Sequence, residues 1–434
     1  MKIRIYNAKI VTMDTQEPSY SIENVISAGE LHIDGDTISY VGEKIHNNED
    51  ITWDREIDAE GNLILPGFKN AHTHSGMTFL RSYADDLPLQ EWLFNRVFPL
   101  EDQLTDEDVY WCCRLAILEY LTSGITANFD MYKKNPAIAR ASADSGFRTV
   151  LCGSINNFGG TVEEIEQEYL HYNDYHPLLS YQLGFHAEYT TDCDILEGMA
   201  ALSDKYSAPV YTHNSETATE VDGCLERYGM TPTAFLDSIG MFEHGGGGFH
   251  CVHMTDEDLQ ICKKKNLWVV TNPSSNIKLA SGIAPISKML DMGINLAIGT
   301  DGPASNNCLD MFREMFLVTA LQKVSTQDPA AVDANEVLKM ACTGGSLAMC
   351  LPDCTCLAPG QKADLIMIDL HQPNMQPINE ITKNIVYSGS KQNVKMTMVA
   401  GKILYENGEF HVGAEPEEIY AKANEAIETK RNSN

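Results

Sequence analysis

The chain has 434 residues, of which 43% are hydrophobic and 8% aromatic, so it can bury a large core. It carries 31 Lys and Arg against 61 Asp and Glu, a formal net charge of -30 that repels nucleic acid and anionic lipid. No apolar run reaches the roughly 18 residues of a membrane span, and the first residues lack the apolar core of a signal peptide. These features predict a cytoplasmic protein with no nucleic-acid or membrane partner.

The two ends of the chain have the same character. Residues 1 to about 65 contain short alternating runs such as "KIRIYNAKIVTM", separated by turn residues, and "ADLIMIDL" and "VKMTMVAGKILYENGEF" near the other end resemble them. We therefore predict one small β-sandwich built from residues 1–66 and 358–415. Residues 416–434 predict a final amphipathic helix that frays.

The middle of the chain, residues 67–357, alternates strand-like apolar runs with helical patterns, which is typical of repeated βα units. Several of these runs end in a polar or ionisable residue, and the strand ends of a (β/α)8 barrel meet on one catalytic face. The fold class predicted is α/β: a distorted (β/α)8 TIM barrel with the terminal β-sandwich. The eight predicted strands are 65–74, 125–130, 147–154, 179–186, 208–216, 247–253, 267–273 and 294–301.

Cysteine and glycine clusters carry less information. Twelve cysteines are spread through apolar segments, which favours buried thiols over disulfides in a chain of this length. The group Cys350, Cys354 and Cys356 has metal-ligand residue types, but no second half with ligand spacing lies elsewhere. The run "HGGGGFH" at 244–250 is too irregular for a dinucleotide loop and predicts a flexible turn.

The pair His72 and His74 ends the first predicted strand. Residues i and i+2 of a strand point to the same side, so both imidazoles can bind one cation; two ordinary strand-end histidines are the alternative. His213 and Asp301 end the fifth and eighth predicted strands and add one nitrogen and one oxygen ligand. Three imidazoles and a carboxylate suit Zn²⁺ or Fe²⁺, and we predict one divalent metal per subunit, Zn²⁺ in the first place.

A catalytic metal lowers the pKa of a bound water towards about 7, so a proton acceptor is needed close by. Glu216 follows His213 by three residues and can reach the same cavity, and His250 ends the sixth predicted strand, where it can orient the water. Taken singly, Glu216 also reads as a helix-start carboxylate and His250 as a core histidine. Because four predicted metal ligands follow the same barrel order, the catalytic interpretation is favoured for both Glu216 and His250.

Longer motifs now suggest a family. The order "NAHTH", "LPLQEWLFNRVFPLE", "THNSE", "HCVH", "NPSSNIKLASGIAP" and "GTDGPASNN" resembles the amidohydrolase superfamily, in its cytosine/adenosine-deaminase-like branch. The chain is most similar there to the 5-methylthioadenosine/S-adenosylhomocysteine deaminases, over nearly its whole length. The resemblance implies that His72, His74, His213 and Asp301 hold one metal, with Asp301 also taking a proton from the water. It further implies that Glu216 shuttles protons, that His250 holds the hydrolytic water, and that the protein is a homo-oligomer.

The same resemblance assigns substrate residues. It places His186 on the purine ring and Glu101 on the ribose hydroxyls, where a structural histidine and a surface helix carboxylate are the alternatives. Trp92 and Phe94 could wall the pocket or merely pack. The fourth strand, "LSYQLGFH", lacks the lysine that binuclear members need, which agrees with one metal.

Three departures from the family bear on the substrate. "GFHAEY" replaces the usual "GPHSPY" and places Phe185, Ala187 and Glu188 around His186, while Thr271 stands where a histidine is common. An arginine suited to the homocysteine carboxylate is absent, Gly153 and Ser154 standing there instead. An added carboxylate and a missing cation argue against an anionic substrate tail.

We therefore expect a metal-dependent hydrolytic deaminase of an adenine-type nucleoside. The departures favour adenosine, 5′-deoxyadenosine or 5-methylthioadenosine over S-adenosylhomocysteine. The alternatives are an aminohydrolase or chlorohydrolase of another heterocycle, such as guanine, a pterin or an s-triazine, and a non-catalytic assembly protein.

Overall fold

The computed structural model describes residues 1–15, 22, 25–45, 51–83, 85–87 and 89–431. A parallel sheet of eight strands and a mixed sheet of nine strands organise them. The strands are β1 (Lys2–Ile10), β2 (Ile26–Asp34), β3 (Thr37–Glu43), β4 (Arg55–Asp58), β5 (Leu63–Pro66), β6 (Phe68–Thr73), β7 (Ile125–Met131), β8 (Arg148–Cys152), β9 (Leu179–Ala187), β10 (Val210–Asn214), β11 (Gly246–His250), β12 (Trp268–Thr271), β13 (Asn295–Ile298), β14 (Leu365–Ile368), β15 (Val394–Val399), β16 (Lys402–Glu406) and β17 (Glu409–Phe410).

Helices connect the barrel strands and close the chain. The α-helices are α1 (Leu89–Trp92), α2 (Phe98–Glu101), α3 (Asp106–Thr122), α4 (Asn135–Ser145), α5 (Val162–Tyr172), α6 (Cys193–Tyr206), α7 (Ala218–Tyr228), α8 (Pro232–Ser238), α9 (Asp256–Lys264), α10 (Pro273–Lys278), α11 (Ile286–Asp291), α12 (Met311–Thr326), α13 (Ala334–Lys339), α14 (Gly345–Ala348), α15 (Ile381–Tyr387) and α16 (Pro416–Arg431). Segments Leu93–Val97 and Met340–Gly344 are π-helical, and the largest 3₁₀ segment is Ser75–Leu80.

The mixed sheet joins the two ends of the chain. Its strand order is β17-β16-β15-β14-β5-β1-β2-β3, with β4 also paired to β1. Alternate residues of β1, among them Ile3 and Ile5, are buried because successive side chains of a strand point to opposite faces. The junction is β14, which runs antiparallel to β5 and so places a late strand against an early one. The predicted sheet domain from both termini is confirmed; its predicted residue limits stay a prediction.

The eight central strands form a nearly closed parallel barrel. They follow one another in chain order from β6 to β13, and each of them overlaps one predicted strand. The first and last strands are joined by hydrogen bonds: Asp301 N–H donates to the His72 carbonyl oxygen at 3.0 Å. The Asn70 side chain donates to Thr300 Oγ1 at 2.7 Å and accepts from Thr300 N–H at 2.8 Å. The predicted (β/α)8 barrel is confirmed.

The glycine run at 244–250 is mostly strand, not the flexible turn that the sequence suggested. Gly246, Gly247 and Gly248 all lie in β11. A Cβ atom on Gly246 would lie 2.0 Å from the Val210 carbonyl oxygen, and one on Gly247 would lie 2.3 Å from the Trp268 carbonyl oxygen. Close approach of the neighbouring strands, and not mobility, therefore requires glycine here.

Two contacts hold the outer parts to the barrel. Buried Arg148, the first residue of β8, donates from Nε and Nη2 to the Asp364 carboxylate at 2.7 and 3.0 Å, just before β14. This pair fixes the mixed sheet near the amino ends of the strands, which leaves their carboxyl ends free. The predicted terminal helix is α16, and Lys430 in it binds Asp108 of α3 at 2.9 Å. Residues 432–434, where fraying was predicted, lie outside the described part of the chain.

The remaining predictions about the whole chain concern thiols and membranes. All twelve cysteines are free, and eight of them are buried, as predicted. Within the described residues, no group of potential metal ligands includes a cysteine, so Cys350, Cys354 and Cys356 form no such site. No described helix is both long enough and apolar enough to span a membrane.

Candidate active site

Three imidazoles and one carboxylate converge at the carboxyl end of the barrel. His72 lies in β6 with His74 just after it, His213 lies in β10, and Asp301 follows β13. Asp301 Oδ1 is 3.1 Å from His74 Nε2 and 3.6 Å from His72 Nε2. The His213 ring centroid is 4.9 Å from that of His72 and 5.4 Å from that of His74. The structure thus brings together all four side chains predicted as one ligand set.

Hydrogen bonds on the far side of two rings turn their Nε2 atoms inward. His213 Nδ1 donates to the His186 carbonyl oxygen at 2.7 Å, and His74 Nδ1 donates to the Met131 carbonyl oxygen. An imidazole that donates from Nδ1 keeps its lone pair on Nε2, which is the form that binds a metal. Burial also lowers the pKa of His213 well below its usual value, which favours this neutral form.

Asp301 is oriented from the opposite side. The hydroxyl groups of Ser275 and Ser305 donate to its Oδ2 at 2.6 and 2.7 Å, so Oδ1 faces the histidines. Burial raises the pKa of this carboxyl, but the neighbouring imidazoles of His72 and His74 outweigh burial and hold the pKa well below its usual value. Asp301 is therefore ionised, and its Oδ1, which also accepts from Gly302 N–H at 2.7 Å, faces the histidines.

His72 gives the most direct indication of a cation. Its side chain is fully buried and stacks on the Phe249 ring, with 3.8 Å between centroids. Neither ring nitrogen has a hydrogen-bond partner among the described residues. Burial lowers its pKa to about 3, so the ring is neutral. An unpaired buried polar group costs about 1–3 kcal/mol, which coordination would remove. The donor set fits a divalent ion such as Zn²⁺ or Fe²⁺.

The two predicted proton-handling groups face this cluster. Glu216 follows β10, and His250 ends β11. Glu216 Oε2 lies 4.0 Å from His250 Nε2, and the Ser281 hydroxyl donates to Glu216 Oε1 at 3.2 Å. His250 Nδ1 donates to Asn276 Oδ1 at 2.7 Å, which leaves Nε2 to accept from a water molecule. Both groups can therefore reach one reactant placed beside Asp301.

Backbone strain concentrates at the same strand ends. Ser215, His250 and Asp301 have φ values of 50, 71 and 59°, in the left-handed region that non-glycine residues rarely adopt. Such conformations cost about 1–3 kcal/mol each and persist where surrounding contacts hold them. The hydrogen bond from Asp301 N–H to His72 is one such contact. The strain directs these side chains towards the cavity.

His74, His213 and Asp301 form the floor of a cavity whose free space, together with the solvent at its mouth, amounts to about 760 Å³. Glu101 and Trp92, both buried, stand in its wall, and Tyr132 OH donates to Glu101 Oε1 at 2.6 Å. Burial raises the pKa of Glu101. His186 also lines the cavity; its Nδ1 pairs with Thr190 Oγ1 at 2.9 Å, and burial lowers its pKa to about 4, so its ring is neutral.

Comparison with known proteins identifies the family. Residues 63–404 match the model of the Amidohydrolase family. This chain belongs to the amidohydrolase family. A 5-methylthioadenosine/S-adenosylhomocysteine deaminase of Syntrophomonas wolfei subsp. wolfei is 41% identical over 380 residues, 86% of this chain and 88% of the relative. A protein of the same name in Pelotomaculum thermopropionicum is 37% identical over 426 residues, 97% of each chain.

A solved structure agrees with these relatives. The adenosine deaminase from Xanthomonas campestris with bound zinc superposes with a TM-score of 0.92 at 29% identity, covering 99% of this amidohydrolase and 98% of that chain. The family resemblance drawn from the motifs is confirmed, as is the barrel architecture.

One argument from the family departures was wrong. Glu188 does not face the substrate cavity of this amidohydrolase: its side chain is 1% exposed and accepts from Arg227 Nη2 at 2.6 and 2.9 Å. The guanidinium neutralises the carboxylate, so Glu188 adds no free charge to the site. Phe185, Ala187 and Thr271 are buried and do not line the cavity either.

A lysine from another strand lies in the cavity wall. A Cβ atom on Gly153 would lie 2.5 Å from the Gly184 carbonyl oxygen, so this backbone leaves no space for a side chain at the end of β8. Lys133, two residues after β7, stands in the cavity wall beside Ser154. The amidohydrolase site therefore has a cation, and the second argument against an anionic substrate tail also fails.

Sequence reasoning missed several residues of the site. Tyr132 and Lys133 lie two and three residues after the predicted second strand, and that position was the available signal. Ser275 and Asn276 lie in the "NPSSNIK" motif, which was used for the family but not for its side chains. Phe94, predicted as a possible pocket wall, is 41% exposed and lies outside the catalytic cavity.

Glu220 is a further missed residue, which holds the loop that carries Glu216. Buried Glu220 accepts the backbone N–H of Ser215 at Oε1 and that of Glu216 at Oε2, both at 2.8 Å. Each carboxylate oxygen thus pairs with one N–H of the strained turn after β10. A glutamine has only one acceptor oxygen there, and its amide nitrogen would oppose a second donor.

We expect Glu220→Gln to lower kcat for the enzyme's substrate by about 10- to 100-fold, because displacing Glu216 by about 1 Å disturbs proton transfer. KM and metal content should change little, since Glu220 touches neither the cavity nor the metal ligands. Steady-state kinetics and metal analysis measure this. Glu226→Gln, an exposed change on the same helix, is the matched control. Unchanged kcat in Glu220→Gln would contradict the positioning role.

Proposed function

We propose that this amidohydrolase is a metal-dependent hydrolytic deaminase of adenine-type nucleosides, releasing ammonia and the inosine-type product. The observation that carries the proposal is the convergence of the metal-ligand cluster with Glu216 and His250 on one cavity. The wall of that cavity holds Glu101 and His186. The relatives named as 5-methylthioadenosine/S-adenosylhomocysteine and adenosine deaminases support it.

The proposed chemistry divides between a metal and the protein's side chains. His72, His74, His213 and Asp301 would hold a divalent ion, which would supply the nucleophile at neutral pH by lowering the pKa of a water towards about 7. His250 accepts a hydrogen bond from that water through Nε2, and Asp301 receives its proton. Within this site, charge and orientation are set in advance by the buried hydrogen bonds.

Glu216 delivers a proton to the purine. As the water oxygen adds to the amine-bearing carbon, Glu216 gives its proton to the adjacent ring nitrogen, and a tetrahedral carbon forms. Asp301 then passes the proton taken from the water to the amine, and Glu216 takes the proton of the new hydroxyl. The C–N bond breaks, its electron pair leaves with the nitrogen as ammonia, and a carbonyl forms. The balance is one water consumed and one ammonia released, with a carbonyl in place of the amine.

Substrate recognition is assigned to three residues. Neutral His186 contacts the purine ring, and Trp92 covers it from the cavity wall. Glu101, steadied by Tyr132, accepts hydrogen bonds from the two ribose hydroxyls. A buried carboxylate that binds hydroxyl groups favours a nucleoside over a free base, because its hydrogen bonds to the hydroxyl groups would be missing if the ribose were absent.

The metal and the assembly are also part of the proposal. We assign one Zn²⁺ per subunit, supported by the zinc in the Xanthomonas campestris adenosine deaminase, with Fe²⁺ as the alternative that the same donors accept. Metal analysis of the purified protein decides between them. A homo-oligomer and a cytoplasmic location remain predictions.

A substrate panel tests this function. Purified wild-type enzyme is expected to deaminate adenosine and 5-methylthioadenosine, seen as loss of adenosine absorbance and release of ammonia. Glu101→Ala should raise KM for nucleosides by about 10- to 100-fold, since hydrogen bonds to a buried charge contribute about 1.5–3 kcal/mol. The KM for free adenine, which has no ribose, should not change in this variant.

The same panel contains the rival substrates. Guanine, pterins and s-triazines use the metal cluster without needing Glu101, so faster turnover of these, unaffected by Glu101→Ala, would contradict a nucleoside substrate. Absence of ammonia release from every compound, with metal bound, would contradict deamination; absence of chloride release from chloro-substituted s-triazines as well would favour a non-catalytic protein.

A further inference from the structure

The catalytic cavity continues into a second, more open groove. This 5′ groove, as we call it, holds about 1990 Å³ measured to its open side, and it shares Phe98, Tyr132, Lys133, Ser154 and Asn156 with the cavity. Tyr132 is the residue that binds Glu101, the proposed ribose reader. A group that extends beyond the ribose must therefore pass along Tyr132 and Lys133 into the groove.

Three phenyl rings form the apolar wall of the 5′ groove. The Phe94 ring centroid lies 5.4 Å from that of Phe98 and 6.5 Å from that of Phe158, and Phe98 and Phe158 are 6.3 Å apart. Phe158 is 70% exposed, an unusual position for a large aromatic side chain. Such a cluster suits an aliphatic or thioether chain.

The loop that carries Phe158 is held in place. Asn156 Oδ1 accepts from Phe158 N–H at 2.8 Å. The neighbouring Asn157 donates from Nδ2 to Asp192 Oδ1 at 2.9 Å and accepts from Asp192 N–H at 2.8 Å. The exposed ring therefore belongs to a defined conformation, and its exposure is a feature of the groove.

Lys133 supplies the charge at the inner edge of the groove. Its Nζ lies 5.6 Å from the Phe98 ring centroid and 3.3 Å from Asp102 Oδ1. Both charged groups of this ion pair are exposed, at 46% and 73%, so the pair contributes only about 0–1 kcal/mol and can exchange partners. A cation and an anion side by side match the carboxylate and ammonium of an α-amino acid.

We propose that the 5′ groove binds the 5′ substituent of the nucleoside, and that Lys133 selects substituents ending in an α-amino acid by pairing with their carboxylate. Asp102 then accepts the ammonium group. The inference rests on the proposed function, and it assigns to β7 the cation that β8 lacks at Gly153. In a chain of net charge -30, one cation at the mouth also offsets the repulsion of an anionic tail.

The test compares three substrates: S-adenosylhomocysteine, 5-methylthioadenosine and adenosine. Lys133→Met should lower kcat/KM for S-adenosylhomocysteine by about tenfold, through KM, because one charge-assisted contact at a half-exposed site is lost. The values for the other two substrates should stay within about twofold. Lys422→Met is the matched control: its lysine pairs with Glu425 at 3.1 Å at a similar exposure and lines neither the catalytic cavity nor the 5′ groove, so no value should change.

A second variant tests the apolar wall. Phe158→Ser should lower kcat/KM for S-adenosylhomocysteine and for 5-methylthioadenosine by about fivefold, and leave adenosine unchanged, since only adenosine lacks a chain to pack there. An equal loss for all three substrates in Lys133→Met, or no loss for S-adenosylhomocysteine, would overturn the subsite. Wild-type turnover of adenosine is the separate test of the proposed function; without turnover of any nucleoside both proposals fall, whereas turnover with unchanged selectivity removes only the subsite.

Discussion

Replacement of Glu216 by glutamine is expected to lower kcat for adenosine by about 10²- to 10⁴-fold, the usual contribution of a general acid or base. Glutamine has the same shape, and its Oε1 can still accept the Ser281 hydroxyl, so the loop should keep its conformation. It cannot deliver a proton to the ring nitrogen, which is the role proposed for Glu216. The decrease in adenosine absorbance measures kcat, and metal analysis should give the wild-type content.

A graded control separates proton transfer from loop position. Ser281→Ala removes the 3.2 Å hydrogen bond to Glu216 but leaves the carboxylate, so we expect a loss of kcat of about tenfold or less. If Glu216→Gln kept wild-type kcat, Glu216 would not be the proton carrier. Equal losses of kcat in the two variants would mean that Glu216 has only a structural role.

Replacement of His72 by leucine is expected to abolish activity and reduce metal content far below that of the wild type, without weakening the metal-free fold. Leucine can pack on Phe249 where the imidazole stacks now, and it removes two buried nitrogens that have no described hydrogen-bond partner. Removal of unpaired buried polar groups is neutral or stabilising, so the metal-free unfolding free energy should be equal or higher by up to about 1 kcal/mol.

Thermal unfolding with and without zinc tests the prediction for His72→Leu. Excess zinc should raise Tm of the wild type and a chelator should lower it, because a ligand that binds only the native state stabilises that state. Neither addition should move Tm of His72→Leu. His171→Leu, which changes an exposed histidine outside the cavity wall, is the control and should behave as the wild type. Full metal content in His72→Leu would show that His72 is not a ligand.

Together these variants separate the metal from the proton carrier. His72 and Glu216 line one site, yet one change should remove the metal and the other should leave it. The strained and unpaired groups at this face, among them the strained His250 and Asp301, are retained although they lower the stability of the fold.

Much of the active site could be predicted from the sequence because of how a parallel barrel is built. All carboxyl ends of the strands lie on one face, so the polar residues that end the predicted strands must meet there. His72, His74, His213 and Asp301 needed only correct strand assignment and the two-residue period of a strand to be placed together. The family motifs that contain these residues are short sequence segments, and they occur in the same order as in the family.

The fate of Glu188 could not be predicted in this way. It follows the substrate histidine by two residues, but its partner Arg227 lies 39 residues later, on α7. The direction of a side chain beyond the last strand residue depends on which helix packs nearby, and no local pattern contains that. Gly153 is similar, since only the approach of Gly184 from the neighbouring strand excludes a side chain.

The sequence by itself determined the barrel, the composite terminal sheet and the meeting of the four predicted metal ligands at one face, because strand periodicity and the common carboxyl-end face are local or topological rules. Only the tertiary structure decided which charges line the cavity: Glu188 is neutralised by a distant arginine, whereas Lys133 lies at the junction of the cavity and the 5′ groove. The physical reason is that charge in a binding site depends on burial and pairing across elements, which chain order does not encode.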